Sequence, residues 1–231
     1  MKQKYILLIS FLMCLFFLEG RGQTNFEWRS EAANGNWHAP THWWIGEATS
    51  AGFGVMRFNN NAHLNMTNNN GGDIFNTHAI LFRAGNTSTR TIGGDPIRLF
   101  DFDGANPFIQ NNFTATHNID VSLRGDGDAE DPLVIRIAGS GGLNFNGPVN
   151  NEGSNINVQG ATTSSTTVTF NDVVSGEGGF FKANTNIRLD FAAANTFTGQ
   201  LTIQGGEVRL INSSATLGDN TNVRIGTDGS C

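Results

Sequence analysis

Apolar residues along this chain come in brief alternating bursts, separated by turns rich in Gly, Asn, Thr and Ser. From residue 117 onward the bursts are His117–Leu123, Leu133–Ala138, Leu143–Phe145, Ile156–Val158, Thr166–Phe170, Phe180–Phe181, Ile187–Phe191, Leu201–Ile203, Val208–Ile211 and Val223–Ile225. Inside them Ile119, Val121 and Leu123, or Ile187, Leu189 and Phe191, alternate with polar or small neighbours. Period-2 alternation puts one face in a core and the other in solvent, so each burst predicts a short strand. After residue 22 no stretch holds a 3.6-residue period for three turns, which predicts almost no helix.

The bursts also recur. Leu133 and Ile156, Ile119 and Leu143, Leu143 and Val168, Ile187 and Val208, and Leu201 and Val223 are apolar positions separated by nearly the same interval. A repeat of roughly 20–25 residues holding two or three strands is the size of one coil of a parallel β-helix. Short strands at this spacing also suit a globular β-sandwich, which is the alternative architecture. Gly139-Ser-Gly-Gly-Leu143 and Gly176-Glu-Gly-Gly-Phe180 read as one tight corner used twice, with Gly205-Gly206 a third. Glycine at such corners supplies positive φ and lets neighbouring coils approach. Asn concentrates in the turns, where it can stack on an Asn one coil away as a hydrogen-bonded ladder.

Residues 23–60 have a different texture, with Trp28, Trp37, Trp43 and Trp44 in Gly35-Asn-Trp37 and His42-Trp-Trp44. Aromatics crowded at one end predict a cap over the first coil, because a bare coil is a sticky sheet edge. The sharper reading is a carbohydrate-binding end in which Trp37, Trp43 and Trp44 stack on sugar rings. Residues 61–116 mix Asn-rich turns with apolar runs at Ile80–Phe82 and Ile97–Phe102.

The segment Asn195–Gly218 resembles the autotransporter-associated β-strand repeat. Asn195, Thr196, Thr198, Gly199, Thr202, Ile203, Gly206, Leu210, Leu217 and Gly218 match that repeat, while Phe197, Gln200 and Val208 replace a Tyr, a Gly and a Leu. The stretch Phe170…Ser175-Gly-Glu-Gly-Gly-Phe180…Lys182…Leu189 is similar to its usual lead-in, which puts the clearest repeat at 170–218. The Trp28…Trp37…Trp43-Trp44 opening is similar to the start of many proteins that carry such repeats. The resemblance implies an all-β, right-handed parallel β-helix of the autotransporter passenger type. It implies display at, or release from, the surface of a Gram-negative-type cell, and a Bacteroidota-like secreted protein.

The amino terminus agrees with export. Met-Lys-Gln-Lys4, the apolar run Tyr5–Leu18 and the small residues Gly20 and Gly22 make a secretory signal peptide over 1–22. The run is shorter than the roughly 20 residues of a spanning helix. Removing 1–22 takes away Lys2, Lys4, Arg21 and Glu19, so 14 basic residues become 11, 20 acidic become 19, and the net charge is −8. That balance, with Lys182 the one remaining lysine, excludes a nucleic-acid or anionic-membrane binder, both of which need clustered Lys or Arg. Cys231 alone remains once Cys14 is removed, so stability has to come from stacking and not from an internal disulfide. The remainder divides into a Trp-rich cap at 23–60 and a β-helix at 61–231, with an open final coil that predicts end-to-end self-association.

Chemistry is sparse. Asp126, Asp128, Glu130 and Asp131 form an acidic loop that is either a Ca²⁺ candidate or a solvated turn, since neither EF-hand spacing nor a Ca²⁺ nonapeptide is present. Arg124-Gly-Asp126 is too short a motif to carry weight. His38 and His42 have the spacing of a helical metal pair, but Pro40 lies between them. No nucleophile elbow, phosphate loop or dinucleotide fingerprint appears, so no catalytic residue, cofactor or resident metal is assigned. A polysaccharide-acting β-helix enzyme would gather carboxylates with Arg or Lys on one face, and Arg188, Asp190 and Arg209 are the nearest approach to that. The expectation is an exported adhesin-like stalk that is not an enzyme, engaging host or extracellular glycans if it binds anything.

Overall fold

The computed structural model describes residues 23–28, 35–38, 43, 54–59, 64–83, 88–126, 128, 130–160, 165–183, 186–218 and 221–226. The chain coils through three parallel sheets. The first holds β1 (Thr24–Glu27), β2 (Gly54–Phe58), β5 (Ala79–Phe82), β8 (Phe108–Asn111), β11 (Leu133–Ile137), β14 (Ile156–Gly160), β17 (Phe180–Lys182), β19 (Leu201–Ile203) and β21 (Val223–Ile225). The second holds β3 (Asn65–Asn68), β6 (Thr91–Gly94), β9 (His117–Ile119), β12 (Leu143–Phe145), β15 (Thr166–Phe170), β18 (Ile187–Phe191) and β20 (Glu207–Leu210). The third is shorter, with β4 (Phe75–Thr77), β7 (Ile97–Leu99), β10 (Leu123–Arg124), β13 (Val149–Asn150) and β16 (Val174–Ser175). From β2 to β18 the coils visit the sheets in that order, so strands pair with their counterparts one coil away. This is the predicted all-β parallel β-helix, and no helix occurs among the described residues.

The core is a set of columns, one residue per coil. In the first sheet Phe26, Met56, Ile80, Ile109, Ile135, Val158, Lys182, Ile203 and Ile225 lie in register. In the second, Met66, Ile92, Ile119, Phe145, Phe170, Phe191 and Leu210 do the same. In the third the column is Phe75, Ile97, Leu123, Val149 and Val174. Equivalent positions carry similar side chains because each ring or branched chain packs on its own kind above and below. Phe145 on Phe170 and Phe170 on Phe191 stack at 4.8 and 5.6 Å with interplanar angles of 11° and 18°. Nine strands about 4.8 Å apart make a stack of about 38 Å.

The expected registers Leu133–Ile156, Leu143–Val168 and Leu201–Val223 are observed. Two others are displaced by two positions: Ile119 pairs with Phe145, and Val208 with Leu189. A two-residue slip keeps every side chain on its own face, so alternation cannot distinguish the registers. His117–Leu123 is not one strand but two, β9 and β10, with buried Val121 carrying the alternation around a corner. The repeated Gly motifs are also not one corner. Gly139–Gly142 and Gly205-Gly206 join the first sheet to the second, whereas Gly176–Gly179 joins the third to the first. Gly178 has no side chain because a Cβ there would overlap the Ser154 carbonyl one coil away.

Asparagine ladders form as expected. Asn171 Nδ2 donates to Asn146 Oδ1 at 2.7 Å, and Asn146 Nδ2 donates to Asp120 Oδ1 at 2.6 Å. Buried Asn111, Asn151 and Asn195 bind main-chain groups at the corners. These bonds satisfy peptide groups that a bend removes from the sheet ladders.

The first column is interrupted by Lys182, fully buried, whose Nζ donates to the Gly205 carbonyl at 2.6 Å. Burial pushes its pKa from 10.5 down to about 8. The folded value lies below the unfolded one, so the unfolded chain binds more protons between pH 8 and 10.5. Stability therefore rises through that window. A Lys182→Met variant is expected to lose this alkaline gain, read as a flat melting temperature from about pH 8 to 10. The same rise in the variant would assign it to other groups.

Candidate functional site

The Trp-rich region joins the stack directly, because β1 and β2 are the first two strands of the nine-stranded sheet. Trp28, Trp37 and Trp43 are buried against one another and Phe58, with Trp28 and Trp43 edge-to-face at 5.0 Å. Trp43 Nε1 donates to the Trp37 carbonyl at 2.7 Å. Neither Trp37 nor Trp43 presents a ring face to solvent, and sugar stacking needs an open face. Trp44 lies outside the described residues, as do His42 and the signal-peptide segment 1–22. His38 is held by Asn68 Oδ1 at 3.2 Å and lies edge-on to Phe75.

The acidic loop gathers differently from its sequence order. Asp126 and Asp131 meet Asp101 from the preceding coil, each offering one carboxylate oxygen within 4.8 Å of the others. Asp128 and Glu130 fall outside this trio: Asp126 Oδ1 accepts from the Asp128 main-chain N–H at 2.9 Å, and Asp128 Oδ1 accepts from the Glu130 main-chain N–H at 2.9 Å. Ser154 Oγ donates to Asp126 Oδ1 at 2.9 Å, and Asp101 N to Asp126 Oδ2 at 3.2 Å. Burial, then the charges of Asp101, Asp128, Asp126 and Glu130, hold the Asp131 carboxyl above its ordinary range. Three carboxylate oxygens fall short of the six to eight that Ca²⁺ prefers, so water would have to complete any shell. Asp101 was not singled out from the sequence. Its offset from Asp126, one coil length, is the signal that finds it.

Arg188, Asp190 and Arg209 do align on one face. Asp190 is buried and takes Arg188 Nε at 3.0 Å and Arg209 Nη2 at 3.1 Å. A carboxylate clamped between two guanidinium groups has no lone pair aimed at a substrate, which is poor geometry for a general acid or base.

A cleft lies elsewhere, on the outer face of the nine-stranded sheet. Its volume is about 440 Å³ and its lining, among the described residues, includes Gln110, Arg136, Gln159, Ala138, Gly160 and Ala183. Gln110, Arg136 and Gln159 are register partners on β8, β11 and β14, so their side chains stand in a row about 4.8 Å apart. The Arg136 guanidinium lies 4.8 Å from the Phe108 ring centre. Gln110 Nε2 donates to Asn112 Oδ1 at 2.5 Å. Sequence reasoning missed this row, although each member follows the last by one coil length.

At the far end Leu210, Ile211, Val223 and Ile225 are 42–68% exposed, unlike their column partners in earlier coils. Residues 227–231, including Cys231, lie outside the described residues. Among the described residues no helix is long and apolar enough to cross a membrane.

No protein-family profile matches the chain, and no solved structure matches it. A stretch of 57 residues, 25% of this chain, is 47% identical to the adhesin BmaC autotransporter of Brucella suis biovar 1 (strain 1330). That stretch is 2% of the adhesin's length, so the chain spans a small part of the curated relative it matches. Fold and likeness together describe a β-helix repeat protein with a segment similar to one in an adhesin autotransporter.

Proposed function

We propose that this chain is an exported, surface-displayed stalk of the autotransporter passenger type, with an adhesin-like role. The observation that carries the reading is the coiled stack itself: three columns of side chains run through successive coils, so rigidity and reach come from repetition. The partial likeness to an adhesin autotransporter supports the same reading, as does the basic-then-apolar start over 1–22. In this reading the protein presents and does not catalyse, in keeping with the double-arginine clamp on Asp190.

Two measurements test it together. Residues 1–22 fused to a reporter active only outside the cytoplasm should confer activity and be removed on the way. Intact cells producing the whole chain should be stained by antibody raised against the folded protein and lose that signal to external protease. Recovery only from the cytoplasm, with 1–22 uncleaved, would sink the reading.

A further inference from the structure

We infer that the cleft on the outer face of the nine-stranded sheet binds a carboxylated sugar unit within an oligosaccharide, with Arg136 taking the carboxylate and Gln110 and Gln159 the hydroxyls. The observation is one of pairing. Arg57 and Arg83 face Glu27 at 3.7 and 3.5 Å, Arg98 and Arg124 face Glu152, and Arg188 and Arg209 face Asp190. Arg136 has no carboxylate within ion-pair distance among the described residues and lies against the Phe108 ring instead. In a chain with a net charge of −6, an outward guanidinium kept off every such carboxylate and turned to a cleft is a cation held for an external anion. Its planar fork suits a carboxylate, and the ring beneath it fixes the plane of the fork.

The flanking groups select the rest of the ligand. Gln110 has given one amide N–H to Asn112, which leaves the other N–H to donate and Oε1 to accept. Gln159 makes no side-chain hydrogen bond among the described residues, so both its donor and its acceptor are open. Two neutral amides on either side of one cation match hydroxyl groups around a single acid, not a run of acids. The row spans about 10 Å across three coils, and small Ala138, Gly160 and Ala183 leave room for a saturated ring. An acidic peptide strand fits less well, because β8, β11 and β14 are already paired on both sides and offer no free edge to extend.

The inference deepens the adhesin-like reading by naming a ligand class, yet its test needs only the purified chain. A glucuronate-containing tetrasaccharide and its neutral glucose counterpart are titrated calorimetrically at low and physiological salt. The acidic sugar is expected to bind, more weakly in added salt, and the neutral one at least tenfold less tightly. Arg136→Gln should cost roughly tenfold to a hundredfold, the size of a lost charge-assisted contact. Arg136→Lys should recover part of that loss and Gln159→Ala should cost a few-fold, with melting temperatures unchanged because these side chains face outward. Arg124→Gln, an arginine committed to Glu152, should bind like the parent. Equal binding of both sugars, full binding by Arg136→Gln, displacement by an equimolar oligoglutamate peptide, or no binding at millimolar sugar would each overturn the assignment. Binding without export would sink only the surface reading, and export with an indifferent cleft would sink only this one.

Discussion

Trp43→Ala is expected to destabilise the chain by about 3–5 kcal/mol, the range for deleting a fully buried aromatic side chain. The indole is 1% exposed and touches Phe26, Trp28, Trp37 and Phe58, with ring centres 5.0–6.2 Å away. Trp28, Trp37 and Phe58 cannot readily collapse into the space, because each is itself held against another ring. The change also strips the Trp37 carbonyl of its donor at 2.7 Å, and a buried acceptor left alone costs about 1–3 kcal/mol. Trp43 further closes an antiparallel bridge to Trp28, so it ties the start of the chain to the first coils. A stability change no larger than that of an ordinary surface substitution, about 0.5 kcal/mol in a denaturant titration, would reverse this picture. It would return the indole to the role of an exposed sugar platform.

The same cluster shows what the sequence could and could not convey. Alternation marked the strands after residue 117, and coil spacing marked their stacking, because both follow from local burial repeated once per turn. Spacing was weaker before residue 117, where register partners such as Ile80 and Ile109 lie much farther apart in the chain than Leu189 and Val208 do. Longer corners there dilute the period, so β3, β4 and β6 were not legible. Two-residue strands such as β13 and β16 carry no alternation at all. The candidate cleft was hidden for a different reason. Gln110, Arg136 and Gln159 are ordinary outward residues singly, and they become a row only once the register is known. Asp101 joined Asp126 and Asp131 by the same route. Chemistry in a coiled stack is written across coils, at offsets that vary from one coil to the next, and a reading along the chain does not see it.

His117 is expected to make this fold acid-sensitive by on the order of 3 kcal/mol between pH 6.5 and 4. Its column runs Arg90, His117, Leu143, Val168, Leu189 and Val208, so two polar side chains occupy positions that later coils fill with aliphatic ones. Both are fully buried. The imidazole stacks on Phe82 at 4.2 Å and meets the edge of Phe113, while its Nδ1 accepts the Arg90 main-chain N–H at 3.0 Å. That bond requires an unprotonated Nδ1. Burial, then the positive charge of Arg90, push the imidazole from 6.5 to about 4. The folded value lies below the unfolded one, so within this window the unfolded chain takes up a proton that the folded chain refuses. Stability is complete above pH 6.5 and drains away as the pH falls toward 4, at about 1.4 kcal/mol per unit. His78, lowered by burial in the same direction, adds to the slope. His117→Phe keeps the stack on Phe82 but leaves the Arg90 N–H without its acceptor, a cost that is the same at every pH. The variant should therefore be less stable at pH 7 and much less sensitive to acid. Equilibrium unfolding of both proteins at half-unit steps from about pH 7.5 to 4 reads the difference in slope. Parallel curves would place the acid sensitivity elsewhere in the stack.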